Sequence, residues 1–244
     1  VGTDEGDVVT RAGEVPTDGT VDDLLSRLRD ELPRALPTAF TTSGPSPSAG
    51  DDVYEAFLFA LVLKAARVEG YTVTFDDGFG RAPAVFRLRR SPGRLTTTDT
   101  FTHAVLSLPN SRKDPLEVHT GISVVGASKV AHEADVVVLP SAVAQRSRML
   151  GTDPPSSKTI MVVEGKFYRR NPVSLGTGRE FLGLGADLQS TKTIFAATVT
   201  SMSVVHLLQG KSKLYEVGVL PGRKAEADLQ GRFATELRGY RNKR

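Results

Sequence analysis

The chain has 244 residues, enough for one sizeable domain with extensions. Hydrophobic residues make up 39%, charged residues 24% and aromatics 7%, which excludes a wholly disordered chain, a collagen-like chain and a coiled-coil rod. The lack of cysteine excludes disulfide frameworks, Cys-ligated zinc, iron–sulfur clusters and thiol catalysis, and the net charge of +3 permits a nucleic-acid partner without demanding one.

Residues 1–19 are polar, with Gly, Asp and Thr, and read as a poorly ordered arm. They carry no signal-peptide hydrophobic region, and no apolar run reaches the ~18 residues of a membrane span. A cytoplasmic protein without a membrane partner is therefore expected. Val21 to Leu36 predicts a short amphipathic helix with Leu24, Leu25, Leu28 and Leu32 on one side. The Ser/Pro/Gly-rich stretch 41–50 reads as a linker. Asp51 and Asp52 are N-cap candidates for a strong helix that ends at Gly70.

Strand signals follow at Tyr71–Phe75 and Ala84–Arg89, with the turn-like DDGFG between them. His103–Leu108, Leu116–Val125 and Ala134–Leu139 are further candidates. An inserted loop over 141–158, with Gly151 and Pro154-Pro155, leads into a strand at Thr159–Phe167. The chain then alternates helix (Gly178–Ser190), strand (Thr193–Val199), helix (Met202–Gln209) and strand (Leu214–Leu220). A last helix runs from Ala225 to Tyr240, with Leu229, Phe233 and Leu237 four apart. Strands first and alternation afterwards predict an α/β domain with a central mixed sheet flanked by helices. Its span is 51–244, and residues 1–50 form an N-terminal helical extension.

Three features carry chemistry. Glu55 shares a helix face with Leu58, Phe59, Val62 and Ala66, while Lys64 points the opposite way. An inward carboxylate needs a metal, a cation or hydrogen-bond donors opposite it, unless it merely caps the helix start. Asp135 heads the apolar run Val136–Leu139, where it is either a turn residue or a ligand at the sheet. Glu164 and Lys166 continue the run Ile160–Val163 and project to one face, roughly 6–7 Å apart. They read as a plain ion pair, or as a metal ligand beside a water-orienting base.

An inward helix Glu, a strand with Asp, then a strand ending in Glu-x-Lys followed by helix and strand resembles the PD-(D/E)xK, or restriction-endonuclease-like, nuclease superfamily. HEADVVVLP and MVVEGKFY carry the likeness, which spans residues 51–200. The resemblance implies a restriction-endonuclease-like core. Asp135 and Glu164 would be metal-binding acids, the Gly165 carbonyl a further ligand, Lys166 the catalytic lysine and Glu55 the supporting acid. Asp135 lacks the proline of the motif's name. The long gap to Glu164 leaves Glu133 and Glu117 open as the first acid.

Mg2+ or Mn2+ is the implied cofactor, since carboxylate oxygens suit hard cations that stabilise phosphate charge and activate water. Burial or nearby cations would lower the lysine's pKa and let it act on that water. Lys129, Arg169, Arg170 and Arg179 are candidate phosphate contacts, as are Arg146, Arg148 and Lys158 in the inserted loop. A solvated surface is the bland alternative. The basic tail RGYRNKR is a further candidate arm.

GTGREFLGLG (176–185) fails the dinucleotide pattern at Phe181, and GKS (210–212) lacks a P-loop's upstream glycine. The glycines there are expected to permit close packing. The histidines at 103, 119, 132 and 206 form no metalloprotease motif, and His119 and His132 are expected in strand packing or hydrogen bonds.

The functional expectation is a metal-dependent DNA endonuclease of restriction, defence or repair, acting as a homodimer or with a protein partner. One alternative is a non-catalytic nucleic-acid-binding or scaffold subunit of the same fold. Another is an unrelated α/β enzyme, favoured if Glu55 lies far from Glu164.

Overall fold

The computed structural model describes residues 26–30, 49–84, 86–89, 93–95, 101–169, 171–189 and 191–243. The arm, most of the first predicted helix and the linker up to residue 48 lie outside the described residues. Residues 26–30 are helical, Leu28 is fully buried, and Arg27 donates to the Pro221 carbonyl at 2.9 Å. This part of the extension is docked on the domain.

Helix α1 (Ala49–Val68) opens the core. It begins two residues before the expected caps, so Asp51 and Asp52 occupy its first turn, where the helix dipole favours acid. Its run of Phe, Leu, Val and Ala is buried almost all round. A helix apolar on every side must be covered on two sides. The sheet covers one side, and helix α5 (Lys224–Asn242) covers the other. Lys64, on the face opposite Glu55, pairs with Glu226 of α5 at 3.2 Å.

Seven strands form one sheet in chain order: β1 (Thr72–Asp76), β2 (His103–Ser107), β3 (Leu116–Val125), β4 (Ala131–Pro140), β5 (Met161–Lys166), β6 (Lys192–Ala197) and β7 (Leu214–Val217). The first five pair antiparallel, while β5–β6 and β6–β7 pair parallel. Parallel neighbours need a crossover, which helices α3 (Leu175–Asp187) and α4 (Met202–Gly210) supply. The sheet is therefore mixed and flanked by helices, as composition and alternation predict. On one face β-strand residues pack with α1 and α5. On the other, Phe181, Val204 and Leu208 of α3 and α4 cluster with Phe195 and Ala197.

Two expected elements differ. The stretch 141–158 is a loop only in part: helix α2 (Ser141–Leu150) follows Pro140 directly and ends at Gly151, whose left-handed φ of 65° suits glycine, and residues 151–155 with Pro154-Pro155 are irregular as expected. Only Ser141, Ala144 and Ser147 are buried in α2, so it carries no apolar periodicity. Within Ala84–Arg89, Phe86 makes a β-bridge, but the described residues form no strand; Phe86 and Leu88 turn inward, and the Thr102 amide donates to the Arg87 carbonyl at 2.7 Å. Among the described residues no helix is long and apolar enough to cross a membrane.

Candidate functional site

The site is assembled by α1, β4 and β5. Strict alternation would keep Val118 and Ile122 of β3 on one face. Instead Val118, Val136 and Val138 join the core beneath α1, while Ile122, Val124 and Ala134 join the opposite cluster. The faces exchange at Gly121, whose φ of 55° is left-handed, and across from it at Asp135. The paired residues there run Thr120↔Val136, then Ile122↔Ala134. Asp135 is thus in the middle of a ten-residue strand rather than at its head. Released from the alternation, its Oδ2 accepts a 2.6 Å hydrogen bond from the Gly165 amide of β5.

Gly165 has no room for a side chain. A Cβ there would stand 2.6 Å from Leu58 Cδ1 of α1 and 3.5 Å from Asp135 Oδ2. This close approach lets β5 sit under α1 and hold Glu164 and Lys166 in place. Those two side chains form an ion pair at 2.7 Å. Both line a cleft of about 170 Å³, together with His132, Glu133 and Glu180.

The charge balance is strongly acidic. Burial pushes Glu55 up to about 9, helped by the carboxylates of Asp135, Asp52, Glu133 and Asp51. Burial and then Glu164 push Asp135 up to about 7, against the pull of Lys166. Glu133 is also raised, by burial and by Glu164. Glu55 therefore acts with Asp135 and Glu133, which in turn feel Glu164, so Glu55 is linked to the Glu-x-Lys strand through the acids of β4. Burial alone would lower the Lys166 ammonium, but Glu164, with Asp135 and Tyr168, holds it above its usual range in the metal-free protein.

The basic candidates divide. Lys129 is exposed in the β3–β4 turn with a left-handed φ of 71°. That turn is tied to α3 by Asp187, which accepts from the Ser128 amide at 2.7 Å and contacts His132 Nε2 at 2.6 Å. Arg179 is exposed on α3, and Arg169 is exposed after β5, close enough to act on Asp51. Arg170 lies outside the described residues. Arg148 is not a free cation, because it forks onto Glu117. Of the glycines of 176–185, Gly178 and Gly185 are close-packing positions, where a Cβ would meet Leu207 of α4 at 3.1 Å and Thr193 at 2.9 Å, whereas Gly183 faces open space.

A second constellation escapes the sequence reading. The register Ala104↔Val118 sets His103 opposite His119, and Glu117 projects beside His119. His119 Nε2 lies 2.7 Å from Glu117 Oε2, and His103 Nε2 lies 3.3 Å from it. The imidazoles stack with centroids 4.5 Å apart. Burial drives His103 down to about 3, with help from His119, and burial lowers His119 as well. Burial opposes ionisation of Glu117, yet hydrogen bonds from His119 and Arg148 hold it down at about 2. Glu117 is therefore not an acid of the α1–β4–β5 site. His103, Glu117 and His119 are placed so that they could hold a metal ion. His119 does sit in a hydrogen bond, as expected. Only strand register, invisible in motif spacing, brings His103 to it.

No protein-family model, curated protein or solved structure matches the chain.

Proposed function

We propose that the chain is a metal-dependent nuclease that hydrolyses phosphodiester bonds, with DNA as substrate and a restriction-endonuclease-like core. The observation that carries this reading is the electrostatic linkage of Glu55, Asp135 and the Glu164–Lys166 pair across α1, β4 and β5, with Glu164 and Lys166 lining an acidic cleft. Crowded carboxylates with raised proton affinity are what a divalent cation would relieve. The all-oxygen donor set of Asp135, Glu164 and the Gly165 carbonyl suits Mg2+ or Mn2+ better than a soft metal.

Bound there, the ion would supply charge stabilisation for the phosphate and acidify a water. Asp135 is oriented for this role by the Gly165 amide. Lys166, paired with Glu164, would orient or deprotonate the attacking water and neutralise developing phosphate charge. Glu55, largely protonated at neutral pH, can donate a hydrogen bond within the carboxylate group. Lys129, Arg169 and Arg179 are exposed around the cleft-forming elements and would position the DNA backbone.

Plasmid cleavage with Mg2+ or Mn2+ tests the reading, comparing wild type with Lys166→Ala and Asp135→Ala. Metal-dependent cutting should fall by about 10²–10⁴-fold in each variant. Equal cutting by wild type and both variants would remove the site from the chemistry. A second reading is a non-catalytic DNA-binding subunit of the same fold, against which the retained Glu164–Lys166 pair argues. Tight DNA binding with no cutting under any divalent metal would select it.

A further inference from the structure

We propose that His103, Glu117 and His119 form a second metal centre, for a divalent transition ion of the zinc type, with a coordination position open to a cationic pocket. It is separate from the acidic cleft and does not depend on the nuclease reading. The cleft is lined by β4, β5 and α3, whereas this cluster stands on β2 and β3, and the two cavities share no lining residue.

The donor set is two imidazole nitrogens and one carboxylate oxygen, all within 4.8 Å of one another. Two nitrogens and an oxygen at about 2.0–2.2 Å are a usual zinc set, and three protein ligands leave one position of a tetrahedron open. The soft and borderline character of imidazole selects against Mg2+, which prefers the oxygens of the other site. All three residues are buried, on adjacent antiparallel strands that fix their backbones. Metal entry requires the 2.7 Å contact of His119 with Glu117 to widen to about 3.3 Å, the donor spacing of a tetrahedral zinc. Arg148 Nη1 can stay on Oε1 at 3.2 Å and orient the carboxylate from outside the coordination shell, while its Nη2, which also contacts the ligating Oε2, must give up that oxygen or share it with the metal.

The open position has somewhere to face. His103 and His119 form part of the wall of a cavity of about 230 Å³, larger than the acidic cleft. Arg89, Arg148, Thr102, Thr120, Phe79 and Phe101 complete most of it. The Arg89 guanidinium lies over the Phe101 ring at 4.1 Å, which holds a cation at the mouth. Water or a small anion is the ligand this lining would accept on the metal.

The test uses chelator-treated, tag-free full-length protein titrated with Zn2+, read by calorimetry and by NMR of the imidazole nitrogens. One equivalent should bind, shifting His103 and His119 and leaving His132 and His206 in place. Asp135→Ala should bind Zn2+ with unchanged affinity. His119→Ala should lose affinity by more than roughly 100-fold. Co2+ substitution should give the intense visible bands of a four-coordinate site. Shifts confined to His132, loss of binding in Asp135→Ala, or no stoichiometric binding by wild type would each overturn the proposal. Because wild type alone decides the NMR outcome, a poorly folded His119→Ala leaves the test intact.

Discussion

The Gly165 amide reaches the Asp135 carboxylate at 2.6 Å, so the strand bearing Glu164 and Lys166 is fastened to the acid of its neighbour. The bond exists because β4 gives up its pairing alternation at Asp135 and because residue 165 has no side chain. Gly165→Ala should therefore act twice. Its methyl would meet Leu58 Cδ1 at 2.6 Å, an overpacking that costs about 1–3 kcal/mol. It would also spread β5 from Asp135 and weaken divalent-metal binding. Leu58→Ala made on top of it frees the space, so the two losses should be non-additive in urea unfolding. Simple additivity would place the strain elsewhere.

Asp135→Asn should stabilise the metal-free protein at alkaline pH. Burial and Glu164 raise the Asp135 carboxyl to about 7 in the folded state, from an ordinary 3.8. A group raised on folding contributes stability that is full below its unfolded pKa and is lost as pH rises through the folded value. Asparagine keeps an acceptor for the Gly165 amide and cannot ionise. The gain expected at pH 8 is about 0.5–2 kcal/mol, fading below pH ~4. Thermal scans across pH in chelator measure it, and adding Mg2+ should reverse the order at pH 8. A variant less stable than wild type throughout would show that the charged form is favoured in the fold.

Several elements are legible in the sequence for physical reasons. Strand β3 is bounded by Pro115 and Gly126, and α5 repeats Leu229, Phe233 and Leu237 on one face. Glu55 stands out because its neighbours on the helix are apolar, and it does face the acids of β4. Helix α2 is illegible because its buried residues are small and mostly polar. The Phe86 segment alternates like a strand, and among the described residues its pairing is a bridge at Phe86 and the tie of Arg87 to Thr102. The pairing of His103 with His119 depends on a register that no local pattern encodes. The burial of Lys166 is foreseeable from the apolar run, whereas its 2.7 Å contact with Glu164, which with Asp135 and Tyr168 raises it in the metal-free protein, depends on rotamers no local pattern encodes.

The end of α1 predicts an acid-labile tie to α5. Glu69 is 6% exposed, and Arg238 forks onto it at 3.1 and 2.5 Å, with Arg241 at 3.4 Å. Hydrogen bonding from Arg238 holds the carboxyl below its ordinary 4.5, against the cost of burial. A depressed folded pKa gives stability that is present above 4.5 and is lost as pH falls through the folded value. Glu69→Gln should lower the thermal midpoint most at pH 7, and the gap to wild type should close in acid. Hydrogen exchange at the α1–α5 contact should quicken in the variant at neutral pH. A gap independent of pH would mean that shape, not charge, makes the tie.

If DNA is the substrate, the exposed cations should report it through salt. Lys129 and Arg179 lie on the β3–β4 turn and on α3, which Asp187 joins through Ser128 and His132. The two cations are thus presented by one braced surface. Each side chain that contacts a phosphate releases about one counterion on binding. Arg179→Ala should therefore weaken binding to every DNA sequence alike and reduce the salt slope by about 1. Lys166→Ala protein with Ca2+ allows the measurement without cleavage, using anisotropy between roughly 50 and 200 mM salt. A drop in affinity with an unchanged slope would assign Arg179 to packing, and a change limited to one sequence would make it a base reader.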